Sequence, residues 1–356
     1  MALHNKINRE ELKQQLKESK EPRLTISFYK YHQIKDVQTF RDDLFRAWEQ
    51  LEVYGRTYVA SEGINAQISI PERNFNAFQE HLEGTYSWLK GNRLNVAYDD
   101  DGKSFYKLKI KIRPKIVADG LNDAEFDPSQ TGVHLKAEEF NKLIDQEDSI
   151  VIDMRNHYES EVGHFQGAVT PDVDTFRDSL PIIEDMLEEH REKHIVMYCT
   201  GGIRCEKASA YFKHKGFEKV YQLEGGIIKY AHDVKEAGLT NKFRGKNFVF
   251  DERLGERISE EVIAKCHQCG KPCDTHTNCK SVICNLLFIQ CEDCAKKYDG
   301  CCSNECKEFT HLPLAEQQAI RKGKDSGIRI FSKGRFRGDK EEQHVDNLDI
   351  NFEQLT

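Results

Sequence analysis

The chain lacks any apolar run approaching the roughly 18 residues of a membrane-spanning helix. It opens on the polar residues Met1-Ala2-Leu3-His4-Asn5-Lys6, without the apolar stretch of a secretion signal. With a mean hydropathy of −0.69, it is expected in the cytoplasm and away from membranes. It also lacks a Gly-rich dinucleotide fingerprint and a pattern of two histidines with one carboxylate. Flavin, nicotinamide, haem and non-haem iron are therefore not signalled, and the chemistry has to start from side chains. Cysteine is not scarce: the chain has 12, ten of them between Cys266 and Cys306. In a reducing compartment such crowding favours metal ligation over disulfides.

A length of 356 residues suggests two or three domains of roughly 100–200 residues each. Shifts in pattern divide the chain into an N-terminal α/β unit (1–115), a linker (116–149) with a helix expected over Lys136 to Ile144, a second α/β unit (150–245), a Cys-rich region (246–320) and a flexible tail (321–356). In the first unit, Leu24 to Tyr29 reads as a strand. Val37 to Leu51 carries Val37, Phe40, Leu44, Ala47, Trp48 and Leu51 at the 3.6-residue period of a helix packed on one side. Two strands between Val53 and Ile70 turn at Ser61-Glu62-Gly63-Ile64-Asn65, and a helix over Asn74 to Leu82 follows. Arg93 to Tyr98 and Phe105 to Ile112 add strands. The order βαββαβ predicts a ferredoxin-like, acylphosphatase-type sandwich.

The last of these strands is strongly charged. Period-2 alternation puts Lys107, Lys109, Lys111 and Arg113 on one face and Leu108, Ile110 and Ile112 on the other. Like charges about 6.8 Å apart repel, and a polyanion relieves that repulsion. This face is a candidate stripe for tracking a nucleic-acid phosphate backbone, although lysines also guard sheet edges against aggregation. With a net charge of −8, any nucleic-acid footprint has to be local.

The second unit opens on the strand Ile150 to Asp153 and alternates strands with helices, as a doubly wound domain does. Between the strand Ile195 to Tyr198 and a helix expected over Glu206 to His214 lies Cys199-Thr200-Gly201-Gly202-Ile203-Arg204. Two glycines let successive N–H groups turn inward, and the helix dipole adds partial positive charge, so the loop is an anion cradle. A thiol there, near Arg204, ionises below the free-cysteine value of about 8.5. Cys199 is the candidate nucleophile. Four residues separate it from Arg204. That loop is shorter than the phosphatase loop and resembles the rhodanese family, whose cysteine carries sulfur as a persulfide. Val151-Ile152-Asp153-Met154-Arg155, Gly163-His164-Phe165-Gln166-Gly167-Ala168 and Leu223-Glu224-Gly225-Gly226 match further rhodanese motifs. Arg155 and Glu161 are expected to pair beneath the loop, with His164 anchoring its turn.

Cys266-x2-Cys269 and Cys291-x2-Cys294 form two knuckles separated by 21 residues, close to the spacing of four-thiolate zinc ribbons. Cys273, Cys279, Cys284, Cys301, Cys302 and Cys306 remain for a second site of open assignment, and an iron–sulfur cluster is the rival ligand set. From Arg321 to Lys340 the tail interleaves Lys and Arg with Phe331, Phe336 and glycines, the pattern of an arm that orders on RNA.

From about Leu3 to about Phe331 the chain resembles one family, the bacterial rhodanese-domain proteins that hydroxylate carbon 5 of the wobble uridine in tRNA using molecular oxygen. The resemblance rests on strings such as Ile26-Ser27-Phe28-Tyr29-Lys30-Tyr31, Glu62-Gly63-Ile64-Asn65-Ala66-Gln67-Ile68-Ser69, Asp99-Asp100-Asp101-Gly102-Lys103-Ser104-Phe105, Cys199 to Lys207 and Gly245-Lys246-Asn247-Phe248-Val249-Phe250-Asp251-Glu252-Arg253. It implies molecular oxygen as co-substrate, tRNA as partner and Cys199 as the family's functional cysteine. The rhodanese motifs taken alone imply the alternative, a sulfurtransferase forming a Cys199 persulfide. No protein partner is indicated.

Overall fold

A computed structural model describes residues 8–121, 126–323 and Phe336. After α1 (Arg9–Glu18), the N-terminal unit runs β1 (Arg23–Tyr31), α2 (Val37–Gln50), β2 (Tyr54–Ala60), β3 (Gly63–Pro71), α3 (Phe75–Thr85), β4 (Asn95–Val96) and β5 (Leu108–Ile112). The sheet order is β4-β1-β3-β2-β5. The first four strands have the ferredoxin-like arrangement and pair antiparallel, while β5 adds to the edge parallel to β2. One face packs on α2 and α3 through Ile26, Phe28, Ile64, Ile68, Leu44, Trp48 and Phe78. This burial of aliphatic against aromatic side chains is the main stabilising term, at roughly 25 cal/mol per Å² of apolar surface removed from water.

Two strands are shorter than their alternation suggests. The carboxylate of Asp100 accepts the Thr25 backbone N–H at 2.6 Å, and its other oxygen accepts the Thr25 hydroxyl at 3.0 Å. The chain there crosses the end of β1 instead of pairing with it, and strand structure resumes only at Leu108. Leu108 and Ile110 are buried as expected, but Ile112 is 41% exposed where the edge strand ends.

The second unit is a doubly wound sheet of order β6-β10-β9-β7, all parallel. Its elements are β6 (Val133–Leu135), α4 (Ala137–Leu143), β7 (Ser149–Asp153), α5 (His157–Ser160), β8 (Gly163–Phe165), α6 (Phe176–Leu187), β9 (His194–Tyr198), α7 (Ile203–His214), β10 (Val220–Leu223) and α8 (Gly226–Ala237). Alternate residues of the central strands face opposite layers. Ile150, Ile152, Ile195 and Met197 meet α6 and α7, whereas Val151, Val196 and Tyr198 meet α4 and α8. The segment 116–149, expected as a linker, has its expected helix at Ala137–Leu143, packed into the core with Phe140 fully buried, and contributes an edge strand besides. With three residues and a solvent-exposed Val133, β6 has no apolar run to announce it.

A small sheet of order β12-β11-β8 joins β11 (Phe243–Asn247) and β12 (Glu256–Arg257) to the second unit. The Cys-rich region then forms the hairpin β13 (His276–Asn278) and β14 (Leu287–Ile289), followed by α9 (Glu292–Lys297), α10 (Asn304–His311) and α11 (Leu314–Gly323). Of the RNA-ordering arm expected from Arg321 to Lys340, the first three residues end α11, and the residues after Gly323 lie outside the described ones. The exception is Phe336, whose ring stacks on Phe288 at 5.9 Å. Among the described residues no helix is long and apolar enough to cross a membrane.

Candidate active site

Cys199 follows the last residue of β9, at the carboxyl end of a central parallel strand where doubly wound folds place their ligands. The helix after it begins at Ile203, three residues earlier than the sequence suggests, so Arg204 and Cys205 stand in its first turn. Gly202 caps that helix with φ +104°, and a Cβ there would fall 2.8 Å from the Tyr29 hydroxyl. The loop is held from below by α8, whose Ile227 and Ile228 N–H groups donate to the carbonyls of Cys199 and Thr200 at 3.0 and 3.2 Å. Gly226 is required by this approach, because a Cβ would lie 2.5 Å from the Cys199 carbonyl oxygen.

Cys199 is 1% exposed, and its sulfur accepts the Gly202 N–H at 3.1 Å. Burial pushes its pKa up. A hydrogen bond from the Cys205 thiol, the Arg204 charge and the backbone N–H groups of Cys205 and Gly202 outweigh burial and bring it down from 9.0 to about 6. Cys205, fully buried, moves the other way and stays a thiol. The pair therefore divides into a thiolate and a hydrogen-bond donor.

Arg204 does not line the cradle as a free cation. Its guanidinium grips the buried Glu159 carboxylate at 2.6 and 2.9 Å and reaches the Thr200 hydroxyl at 3.3 Å. Glu159 is itself fixed by the Asn156 N–H in a capping box. The expected Arg155–Glu161 pair is not formed. Arg155 lies fully buried on Asp153 at 2.6 and 2.8 Å and on the Gly163 carbonyl, while Glu161 reaches His267 at 2.7 Å. Adjacent motif positions gave no direction to those side chains. His164 does anchor its turn, through Nδ1 and the Ser160 carbonyl at 2.9 Å.

The N-terminal sheet covers the loop with its polar face. Tyr29 donates to Glu206 of α7 at 3.0 Å, Lys207 of α7 pairs with Glu62 at 2.8 Å, and Asn95 Nδ2 stands 3.5 Å from the carbonyls of Gly201 and Gly225. Between roof and loop lies a cavity of about 320 Å³, lined by Ser27, Arg56, Tyr58 and Gln67 from the sheet and Cys199 and Thr200 from the loop. Asp251 and Arg253, paired at 2.6 and 2.9 Å, also line it. These roof residues were not singled out from the sequence. Their signal is the polar alternation Thr25-Ser27-Tyr29 and Asn65-Gln67-Ser69 on strands whose other face is apolar.

The charged strand continues the same roof. In the parallel register Lys109 stands opposite Arg56 and Lys111 opposite Tyr58, so the cations share the face that covers Cys199. Lys111 and Arg113 are exposed, Lys107 and Lys109 half-buried, and the Arg113 guanidinium lies 5.7 Å over the Tyr58 ring.

Two groups of four thiols assemble in the Cys-rich region. Cys266, Cys269, Cys291 and Cys294 bring their sulfurs within 4.8 Å of one another, and so do Cys279, Cys284, Cys302 and Cys306. Pairs of sulfurs stand 3.6 Å apart in the first group and 3.6 and 3.7 Å apart in the second. Zinc–sulfur bonds of about 2.3 Å in a tetrahedron require about 3.8 Å between sulfurs, whereas a disulfide is about 2.05 Å. Backbone N–H groups of Cys291 and Cys302 point at Cys266 and Cys279 sulfurs at 3.4 and 3.5 Å, the support a ligated thiolate receives. Both sets fit zinc. Cys273 and Cys301 belong to neither.

These features define a rhodanese-type domain carrying an acylphosphatase-like domain over its cysteine loop. Family models agree: an acylphosphatase-like domain described as UPF0176 matches residues 23–116, a rhodanese-like domain 136–233, and a rhodanese C-terminal region 244–307. A protein of Yersinia pestis (strain Pestoides F) named tRNA uridine(34) hydroxylase is 57% identical over 334 residues, covering 94% of each chain. One of the same name from Pectobacterium atrosepticum is 56% identical over the same share. A rhodanese-like domain from Anabaena sp., solved by NMR, covers 32% of this chain and 78% of its own at 21% identity, with a TM-score of 0.26. The chain belongs to the tRNA uridine(34) hydroxylase family.

Proposed function

We propose that this chain hydroxylates carbon 5 of the wobble uridine of tRNA, with molecular oxygen as co-substrate and Cys199 as the reactive sulfur. The observation that carries the reading is a cysteine with pKa lowered to about 6 on the floor of a cavity whose roof belongs to another domain. Such a cavity admits a base splayed out of an RNA loop, and loop bases are the ones proteins read individually.

The Cys199 sulfur, as thiolate or persulfide, adds to carbon 6 of uracil and leaves carbon 5 an enolate-like nucleophile toward oxygen. One oxygen atom stays on carbon 5 and the other leaves as water, which consumes two electrons from a donor of thiol or persulfide class. Loss of the carbon-5 proton with departure of the sulfur restores the aromatic base. The Gly202 N–H, the Cys205 thiol and the Arg204 charge serve this scheme by holding sulfur as an anion before addition and receiving it again afterwards. Lys107, Lys109, Lys111 and Arg113 are assigned to the tRNA backbone. Zinc on Cys266, Cys269, Cys291 and Cys294 would hold the C-terminal region folded.

Nucleoside mass spectrometry of tRNA from cells lacking the protein, complemented with wild type or Cys199→Ser, tests the assignment. Wild type should restore 5-hydroxyuridine derivatives and Cys199→Ser should not. Loss of thiouridines, with 5-hydroxyuridine unaffected, would favour sulfur transfer instead.

A further inference from the structure

One row of residues crosses the whole N-terminal sheet on its polar face. Asn95 of β4 stands opposite Ser27 of β1, Ser27 opposite Gln67 of β3, Gln67 opposite Arg56 of β2, and Arg56 opposite Lys109 of β5. Neighbouring strands are about 4.8 Å apart, so the row leads from the cysteine loop to the cation strand in about 19 Å. Arg56 is half-buried, and among the described residues its guanidinium has no hydrogen bond or ion pair. The Gln67 amide is likewise unpartnered among them. A guanidinium without a protein partner is free to take an anion, and its planar fork matches a phosphate in two bonds.

Arg56 also marks a junction. Beyond the Cys199 cavity lies a second one of about 620 Å³, lined by Tyr158, Phe248, Phe250 and the Asn156–His157 segment. Arg56, Val117 and Phe250 line both cavities. Two adjacent nucleotides with their bases in the two cavities would pass their linking phosphodiester beside these shared residues. We infer that the site takes a dinucleotide step: the reacting uracil beside Cys199 and Gln67, the neighbouring base against Phe250 and Tyr158, and the phosphate between them on Arg56. The inference rests on the reading of the chain as a tRNA hydroxylase. Base–aromatic stacking supplies sequence-tolerant affinity in the second cavity, and the Gln67 amide offers a donor and an acceptor to the imide edge of uracil.

The test uses the full-length protein and anticodon stem-loop RNAs carrying a neutral methylphosphonate at the linkage 5′ or 3′ of the wobble uridine, with affinity read by fluorescence anisotropy. One of the two substitutions should weaken wild-type binding by about tenfold or more, the range of a hydrogen bond to a charged group. Arg56→Gln should weaken the unmodified RNA by a similar factor and show no further loss with that same neutral linkage. Arg56→Lys, which keeps the charge without the fork, should fall between. Removing the base on that side of the linkage should cost wild type affinity and cost Phe250→Ala little. Additive losses from Arg56→Gln and both neutral linkages, or unchanged affinity of a folded Arg56→Gln, would overturn the inference. Coupled losses without 5-hydroxyuridine formation would leave the nucleotide site standing and remove the hydroxylase reading; hydroxylation without coupling would do the reverse.

Discussion

Arg204 is held by Glu159 through two hydrogen bonds, at 2.6 and 2.9 Å, with the carboxylate fully buried. The arginine that the loop pattern offers as an anion ligand is thereby a brace. It fixes the first turn of α7 against α5 and acts on Cys199 through its charge. Removing one partner of a buried pair leaves the other uncompensated, at a cost of about 3–5 kcal/mol. Glu159→Ala should therefore lose about that much in urea unfolding, and the uncompensated Arg204 charge should keep the Cys199 sulfur anionic to lower pH. Unfolding at the wild-type midpoint would contradict the bracing role.

The lowered Cys199 pKa has a definite pH signature. The fold favours the anion, so this group's contribution to stability is fully present above its unfolded pKa near 9 and is lost as pH falls through about 6. Alkylation of Cys199 by iodoacetamide, and hydroxylation if the anion is the reactive form, should each show an acid limb near pH 6 and fall about tenfold per unit below it. Cys205→Ala removes a donor to the sulfur and should move that limb upward. An acid limb near 8.5 in the wild type would refute this account.

What the sequence disclosed was whatever is local. The cysteine loop, the two Cys-x2-Cys knuckles and the helix at Val37 are written within a few residues of chain, and the structure has each in place. The Ser27–Gln67–Arg56 row was not legible, because it exists only once β1, β3 and β2 adopt their register across some forty residues. The same holds for Arg155 and Glu161: motif proximity suggested a pair, but a doubly hydrogen-bonded Asp153 two residues away outcompeted it. The strand β6 escaped notice for lack of apolar length.

Metal content follows from the sulfur geometry. With two sets of four thiols at tetrahedral spacing, the purified protein should carry two zinc ions per chain by elemental analysis. Cys266→Ser or Cys291→Ser should lower this to one and loosen the chain after residue 255 to proteolysis, since binding of structural zinc is folding free energy. Iron with visible absorbance, or an ordered metal-free region, would contradict the assignment.

Replacing Lys107, Lys109 and Lys111 together should weaken tRNA binding and flatten the slope of log affinity against log salt by about 0.7–0.9 for each phosphate that is no longer neutralised. Deleting residues 321–340 should act in the same direction. Unchanged affinity in both variants would return the strand to the role of a guarded sheet edge.

Cys199 and Cys205 can finally be separated by substitution. If turnover needs one sulfur, Cys199→Ser abolishes hydroxylation, because an alcohol supplies neither a comparable nucleophile nor a persulfide near pH 7. Cys205→Ser keeps a hydroxyl donor where the thiol now hydrogen-bonds the Cys199 anion, so it should retain most activity, whereas Cys205→Ala should lose more at pH 6 than at pH 8. Were a Cys199–Cys205 disulfide part of the cycle, Cys205→Ser and Cys205→Ala would be equally inactive at every pH. Both side chains are buried, and the Cys205 thiol acts on the Cys199 sulfur as a hydrogen-bond donor. The pH dependence of the two Cys205 variants, measured by 5-hydroxyuridine formation, decides between a donor that tunes the anion and a partner that exchanges electrons with it.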